Sequence, residues 1–315
     1  MNNTLILETQ YRIYDGLIAF GFFFCLVIGL PGNCLALRYF LHTKKRNLST
    51  LLYIVACSID VGSSIIHLPV AFSLLKNRNP GLLDYKSFCL IWNVILFLLQ
   101  QMSIFVVMTL SLSRAIVIKY PFYKVNKRAV LVSIALYLIY HCIWNTIIST
   151  QETCTTALSP SDEAPPKSPL ITIFFSFNYS ACLGIPPIIV FLTFLVSIVM
   201  LQKERVANNV SQRRNQHASI TITYFTAFFL CCNCFTFINC FLVTYTMVFK
   251  TYPGPIYENS FMSFYSWLLS EIFCTVLNAS LNPLLYVWRM REMRLWIVGI
   301  LPNRASSPSG EIANT

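Results

Sequence analysis

Seven long apolar stretches predict an all-α integral membrane protein: a seven-transmembrane-helix bundle, N-terminus outside, with a short amphipathic helix after helix seven. Three observations carry that expectation. Hydrophobic residues make up 56% of the 315 and charged residues only 11%, a balance far from that of a soluble domain. The apolar runs lie near residues 17–41, 50–75, 87–118, 129–150, 170–201, 218–248 and 260–288. Each reaches the roughly 20 residues a spanning helix needs at about 1.5 Å per residue. The third observation is where the charge sits.

The net charge is +11, and it is unevenly placed. With the N-terminus outside, the inner segments hold Lys44, Lys45, Arg46, Lys119, Lys124, Lys127, Arg128, Lys203, Arg205, Arg213, Arg214, Arg289, Arg291, Arg294 and Arg304. The outer segments hold Arg12, Lys76, Arg78, Lys86, Lys167 and Lys250. This bias follows the positive-inside rule, so the basic balance calls for a lipid bilayer and no nucleic acid. The expected organisation is an extracellular tail over 1–16, the bundle over 17–288, a membrane-surface helix over 289–300 and a cytoplasmic tail over 301–315. The first fifteen residues are polar, with Glu8 and Asp15, and lack a basic n-region followed by a short apolar run. Helix one is therefore expected to serve as its own uncleaved targeting signal. Asn2-Asn3-Thr4 is a glycosylation sequon on the outer tail, which makes Asn2 a candidate acceptor.

In chain order, helix one contains Gly29-Leu30-Pro31-Gly32-Asn33. An asparagine at mid-membrane needs a partner, and the glycine beside it allows close helix approach. Helix two has one acid, Asp60. A carboxylate at mid-bilayer costs roughly 2.5–3.5 kcal/mol on insertion scales, so it is either neutral and hydrogen-bonded or paired with an ion. Helix three ends in Ser111-Leu112-Ser113-Arg114-Ala115, followed by Tyr120-Pro121-Phe122. Helix four offers His141, Trp144 and Asn145 without a usable pattern, and helix five has two prolines, Pro186 and Pro187. Helix six reads Phe229-Leu230-Cys231-Cys232-Asn233-Cys234-Phe235.

Helix seven holds the most telling stretch, Leu277-Asn278-Ala279-Ser280-Leu281-Asn282-Pro283-Leu284-Leu285-Tyr286. Asn278, Asn282 and Tyr286 recur every four residues and form a polar stripe on one face, which must look toward other helices or trapped water. Pro283 frees the carbonyl of Ala279 and permits a kink. Beyond it, Arg289-Met290-Arg291-Glu292-Met293-Arg294-Leu295-Trp296-Ile297 alternates basic and apolar residues, as a helix on the inner leaflet would.

Asn-Pro-x-x-Tyr preceded by Leu-Asn resembles the seventh helix of rhodopsin-like (class A) G-protein-coupled receptors. Gly32-Asn33, Asp60, Cys89 with Cys154, Arg114 and Asn282-Pro283 with Tyr286 occur in order at family-like spacings, across roughly residues 17–300. The resemblance implies a plasma-membrane, multi-pass receptor that turns binding of an extracellular ligand, a peptide or a small chemosensory molecule, into activation of a heterotrimeric G protein. It implies a disulfide from Cys89 to Cys154, coupling and activation roles for Arg114, Asn282, Pro283 and Tyr286, and a sodium ion among Asp60, Ser103, Asn278 and Asn282. The other ten of the twelve cysteines fall in predicted helices, where a thiol is a small apolar filler. No further cofactor is implied.

Several positions depart from the family. Ser113-Arg114-Ala115 stands where it writes Asp-Arg-Tyr, and Asn233 and Phe235 replace the tryptophan and kink proline of helix six. Phe194 and Leu195 stand where helix five often has a tyrosine. Without an acid beside Arg114, either raised ligand-free signalling or weak coupling is expected. Leu96 stands where amine receptors place an aspartate, which disfavours a monoamine ligand. Val276 stands where opsins carry the retinal lysine, which disfavours light sensing. Expected ligand contacts are His67, Asn93, Leu96, Gln100 and Glu271. No enzyme is expected, because no paired histidine–carboxylate metal spacing occurs. The alternative is a seven-helix transporter or ion pump, against which stands the scarcity of intramembrane carboxylates.

Overall fold

The computed structural model describes residues 20–21, 23–43, 47–77, 86–120, 123, 125–151, 185–204, 220–234, 238 and 276–299. Among these residues the chain is helical and contains no strand. Helix α1, Leu30–His42, is entered through one turn of π-helix, Cys25–Gly29. There follow α2 (Leu48–Asn77), α3 (Lys86–Lys119), α4 (Lys127–Gln151) and α5 (Ile185–Glu204). Then come α6 (Ile220–Cys234), α7 (276–289) and α8 (Arg291–Ile297). Among the described residues, Cys25–His42, Leu48–Leu68, Val94–Val117 and Lys127–Ile147 are long and apolar enough to cross a membrane. Ile185–Met200 and Ile220–Cys234 are shorter apolar helices.

Helix α3 is the hub, packed against α2, α4 and α5. It contributes Met102, Ile104, Val106, Val107 and Leu110 to the core. Helix α1 packs on α2, and α8 folds back on α1, where Trp296 meets Tyr39 edge-on at 5.6 Å. Apolar side chains also dominate the outside: Leu136, Ile139, Ile143 and Ile147 of α4 and Ile188, Leu192 and Val199 of α5 are exposed. The inside holds the polar ones, including Asn33, Asp60, His67, Gln101, Asn145, Asn278 and Asn282. Such an inversion is what a lipid solvent imposes, since polar groups there must find partners within the protein.

Local chemistry sets the element boundaries. Asn47 caps α2, its Oδ1 accepting from the Thr50 backbone N–H at 2.8 Å and the Thr50 hydroxyl at 2.9 Å. Asn126 caps α4 in the same way through the Arg128 N–H at 3.0 Å. Pro31 lies at the start of α1, and the turn before it widens so that the Leu30 N–H bonds the Cys25 carbonyl. Met290 breaks α7 from α8 with an extended backbone. Gly299 ends α8 at φ 72°, a left-handed conformation that suits glycine.

Asn2, Cys154 and Glu271 lie outside the described residues, as do the two tails. Cys89 and Asn93 lie within α3, and only their backbone is described. Cys25, Cys34, Cys57, Cys142, Cys231, Cys232 and Cys234 are free thiols.

Candidate functional site

The polar stripe of α7 meets α1 and α2 at one buried junction. Asn282 donates from Nδ2 to Asp60 Oδ2 at 2.7 Å, and both residues are buried. A hydrogen bond onto a carboxylate is among the stronger kinds, and a low dielectric strengthens it further. Asn33 Nδ2 reaches the Ala279 carbonyl at 2.8 Å and the Gly29 carbonyl at 3.0 Å. Ala279 is the residue whose carbonyl Pro283 cannot bond, so the asparagine of α1 supplies the donor that the proline removes.

Two glycines bring α1 close enough for that contact. A Cβ on Gly32 would lie 2.7 Å from Pro283 Cβ, and one on Gly29 would lie 2.7 Å from Ser280 Oγ. Ser280 and Ser64 bond back to the Val276 and Asp60 carbonyls, at 2.7 and 2.8 Å. Asn278 is buried one turn from Asn282, and the side-chain oxygens of both lack a hydrogen-bond partner. Ser103 is partly buried on α3 and makes no hydrogen bond to Asp60. Of the four residues expected around an ion, the structure joins Asp60 and Asn282 directly.

Below this junction an aromatic cluster ties four helices together. Tyr286 of α7 packs edge-on against Phe40 of α1 at 5.5 Å and Tyr53 of α2 at 5.4 Å, and stacks with Phe225 of α6 at 5.9 Å. Its buried hydroxyl lies beside the Cys57 thiol. Helix α6 is joined to α7 a second time by the Arg289 guanidinium over the Tyr224 ring at 4.9 Å. It is joined to α3 by the hydroxyls of Ser111 and Thr226, 2.9 Å apart and both buried. These contacts are neutral hydroxyl, aromatic and cation–π ones, in a region where the sequence offers no acid on α6.

Arg114 donates from Nη2 to Ser49 Oγ at 2.9 Å. Ser113 does not face it, because its hydroxyl bonds back to the Leu110 carbonyl at 2.9 Å. On α2, His67 is buried and its Nδ1 lies 2.6 Å from the Ser63 carbonyl. A carbonyl only accepts, so Nδ1 carries the proton and Nε2, which has no partner, is a bare acceptor. Gln100 is buried and Leu96 half-buried on α3.

One polar pair escaped the sequence reasoning. Asn145 of α4 donates from Nδ2 to Gln101 Oε1 at 3.0 Å, buried between α3 and α4. His141 lies one turn away, its ring tilted at 52° to that of Tyr137 with the centroids 4.2 Å apart. A glutamine and an asparagine at helical mid-height, both without an ion or a motif, were the available signal.

No protein-family model matches the chain. It is 22% identical to Proteinase-activated receptor 2 of Mus musculus over 277 residues, which cover 85% of this chain and 67% of that one. The likeness to Proteinase-activated receptor 2 of Rattus norvegicus has the same identity and coverage. The chain is thus a helical, multi-pass membrane protein with distant similarity to receptors, in line with the resemblance carried by the Asn282-Pro283 stretch.

Proposed function

We propose that this protein is a rhodopsin-like G-protein-coupled receptor of the plasma membrane. An extracellular ligand, a peptide or a small chemosensory molecule, binds among the outer halves of the helices and favours an inner-open packing over an inner-closed one. A heterotrimeric G protein then reads the inner face around Arg114. The observation that carries this reading is the junction at Pro283. There α1 and α2 each bond α7, whose backbone ladder is interrupted at Pro283, through Asn33 to Ala279 and Asp60 to Asn282. A helix with a missing ladder bond and two side-chain tethers has discrete alternative packings available to it, and Tyr286 on the same helix links it to α6.

In this reading His67, Asn93, Leu96, Gln100 and Glu271 face the ligand. Bare Nε2 of His67 favours a ligand carrying a hydrogen-bond donor. The Cys89–Cys154 bridge holds the outer loop. The buried carboxylate of Asp60 and the two unpartnered amide oxygens of Asn278 and Asn282 suit a hard cation, which takes oxygen ligands. Sodium bound there would favour the closed packing.

The test is a set of G-protein dissociation sensors in cells that display the full chain at the surface, screened with peptide and small-molecule libraries. A ligand-dependent response absent from untransfected cells is the expected result. Solute uptake driven by a sodium gradient in vesicles, without any sensor response, would contradict it.

A further inference from the structure

Arg114 is a cation embedded in the helix bundle, and among the described residues no acid is paired with it. The acids among the described residues are Asp60, Glu204 and Glu292. Asp60 is bonded to Asn282 and stands eleven residues along α2 from Ser49, about 16 Å at the helical rise. Glu292 is exposed on α8. The neighbouring Ser113 has its hydroxyl engaged with its own helix, and Arg114 Nε is buried without a partner. Among the described residues, what holds the guanidinium is a neutral acceptor from another helix, Ser49 Oγ at 2.9 Å.

Ser49 is well placed to hold it. It occupies the first turn of α2, between Leu48 and the Thr50 whose N–H and hydroxyl are both fixed by Asn47. That double cap leaves the turn little freedom, so the hydroxyl of Ser49 is presented from a fixed backbone. One turn further along α2, Tyr53 packs against Tyr286 and Phe40. The segment that holds Arg114 is therefore the segment that packs against α7.

We propose that Ser49 is the positioning residue of Arg114: by accepting from the guanidinium it keeps the arginine in the closed packing, so that α2 supplies the restraint an acid beside Arg114 would have supplied from α3. The hydrogen bond stands on geometry alone, while its effect on signalling rests on the receptor reading above. A single hydrogen bond to a neutral partner restrains less than an ion pair. The chain is then set for measurable ligand-free activity that substitutions at Ser49 move in either direction.

The test uses the purified full chain in lipid nanodiscs, with thermal unfolding and ligand-free nucleotide exchange on a panel of G proteins read side by side. Ser49→Ala is expected to lower the unfolding temperature and raise exchange about three- to tenfold, the range a typical intramolecular hydrogen bond commands. Ser49→Asp, which sets a carboxylate opposite the guanidinium, is expected to raise the unfolding temperature and lower exchange. In the Arg114→Gln background both substitutions should lose their opposite effects on unfolding. Opposite shifts that depend on Arg114, with no exchange on any G protein, would support the pairing and overturn the receptor reading. Shifts of equal size with and without Arg114, or none at all, would overturn the proposal.

Discussion

The side-chain amide of Asn33 donates to the carbonyl of Ala279 across 2.8 Å, and these residues are 246 positions apart in sequence. The acceptor exists because Pro283 has no N–H to fill it. In a bilayer no water replaces the missing partner, so Asn33 is a structural complement of Pro283. Asn33→Leu keeps the volume and removes the donor. It should cost about 1–3 kcal/mol, the penalty of an unsatisfied buried acceptor, and lower the unfolding temperature of the purified protein. An unchanged unfolding temperature would break the link between the two residues.

The approach of α1 to α7 depends on two glycines, and a third provides the control. Gly32→Ala would push a methyl against the rigid ring of Pro283, and Gly29→Ala would meet both the side chain and the Cα of Ser280. A Cβ on Gly62 would meet only the movable end of Leu99, at 3.4 Å. Thermal unfolding should therefore show Gly32→Ala and Gly29→Ala destabilised by about 1–3 kcal/mol, as for overpacking in general. Gly62→Ala should lie within about 1 kcal/mol of the native protein.

Replacing sodium with N-methylglucamine tests the cation expected beside Asp60. Ligands that bind only the folded state raise its stability by mass action. Sodium should raise the unfolding temperature of the native chain in a concentration-dependent way. Asp60→Asn keeps an acceptor for Asn282 and loses the charge, so its unfolding should be indifferent to sodium.

Ser111 and Thr226 hold α6 to α3 by a bond between hydroxyls. Thr226→Val removes one hydroxyl at nearly constant volume, and Ser111→Ala removes the other. Each should lower stability by roughly 1 kcal/mol. The double substitution should fall short of the sum, which a double-mutant cycle in thermal unfolding would detect. Ligand-free nucleotide exchange should rise in both single variants.

The parts of this site that were legible in the sequence are those with a local period or a local cost. Asn278, Asn282 and Tyr286 announced themselves by a four-residue spacing around a proline. Asp60 and Asn33 did so by being polar at mid-membrane. That Asn33 needed a partner was readable; that the partner is the Ala279 carbonyl depends on the register of α1 against α7. The missing acid beside Arg114 was equally plain, whereas Ser49 is an ordinary serine in the first turn of a helix 65 positions away. Gln101 shows a finer limit. It follows Gln100, an expected ligand contact, and consecutive residues on a helix point about 100° apart, so one faces α4 and Asn145 while its neighbour does not share that face.

The most direct measurement is nucleotide exchange on a panel of heterotrimeric G proteins by the full chain in lipid nanodiscs, without ligand, beside the same chain carrying Arg114→Ala. Exchange above that of empty nanodiscs on at least one G protein, lost in the variant, is the expected result. Exchange no different from empty nanodiscs across the panel, from a chain shown to be folded by its unfolding transition, would contradict it.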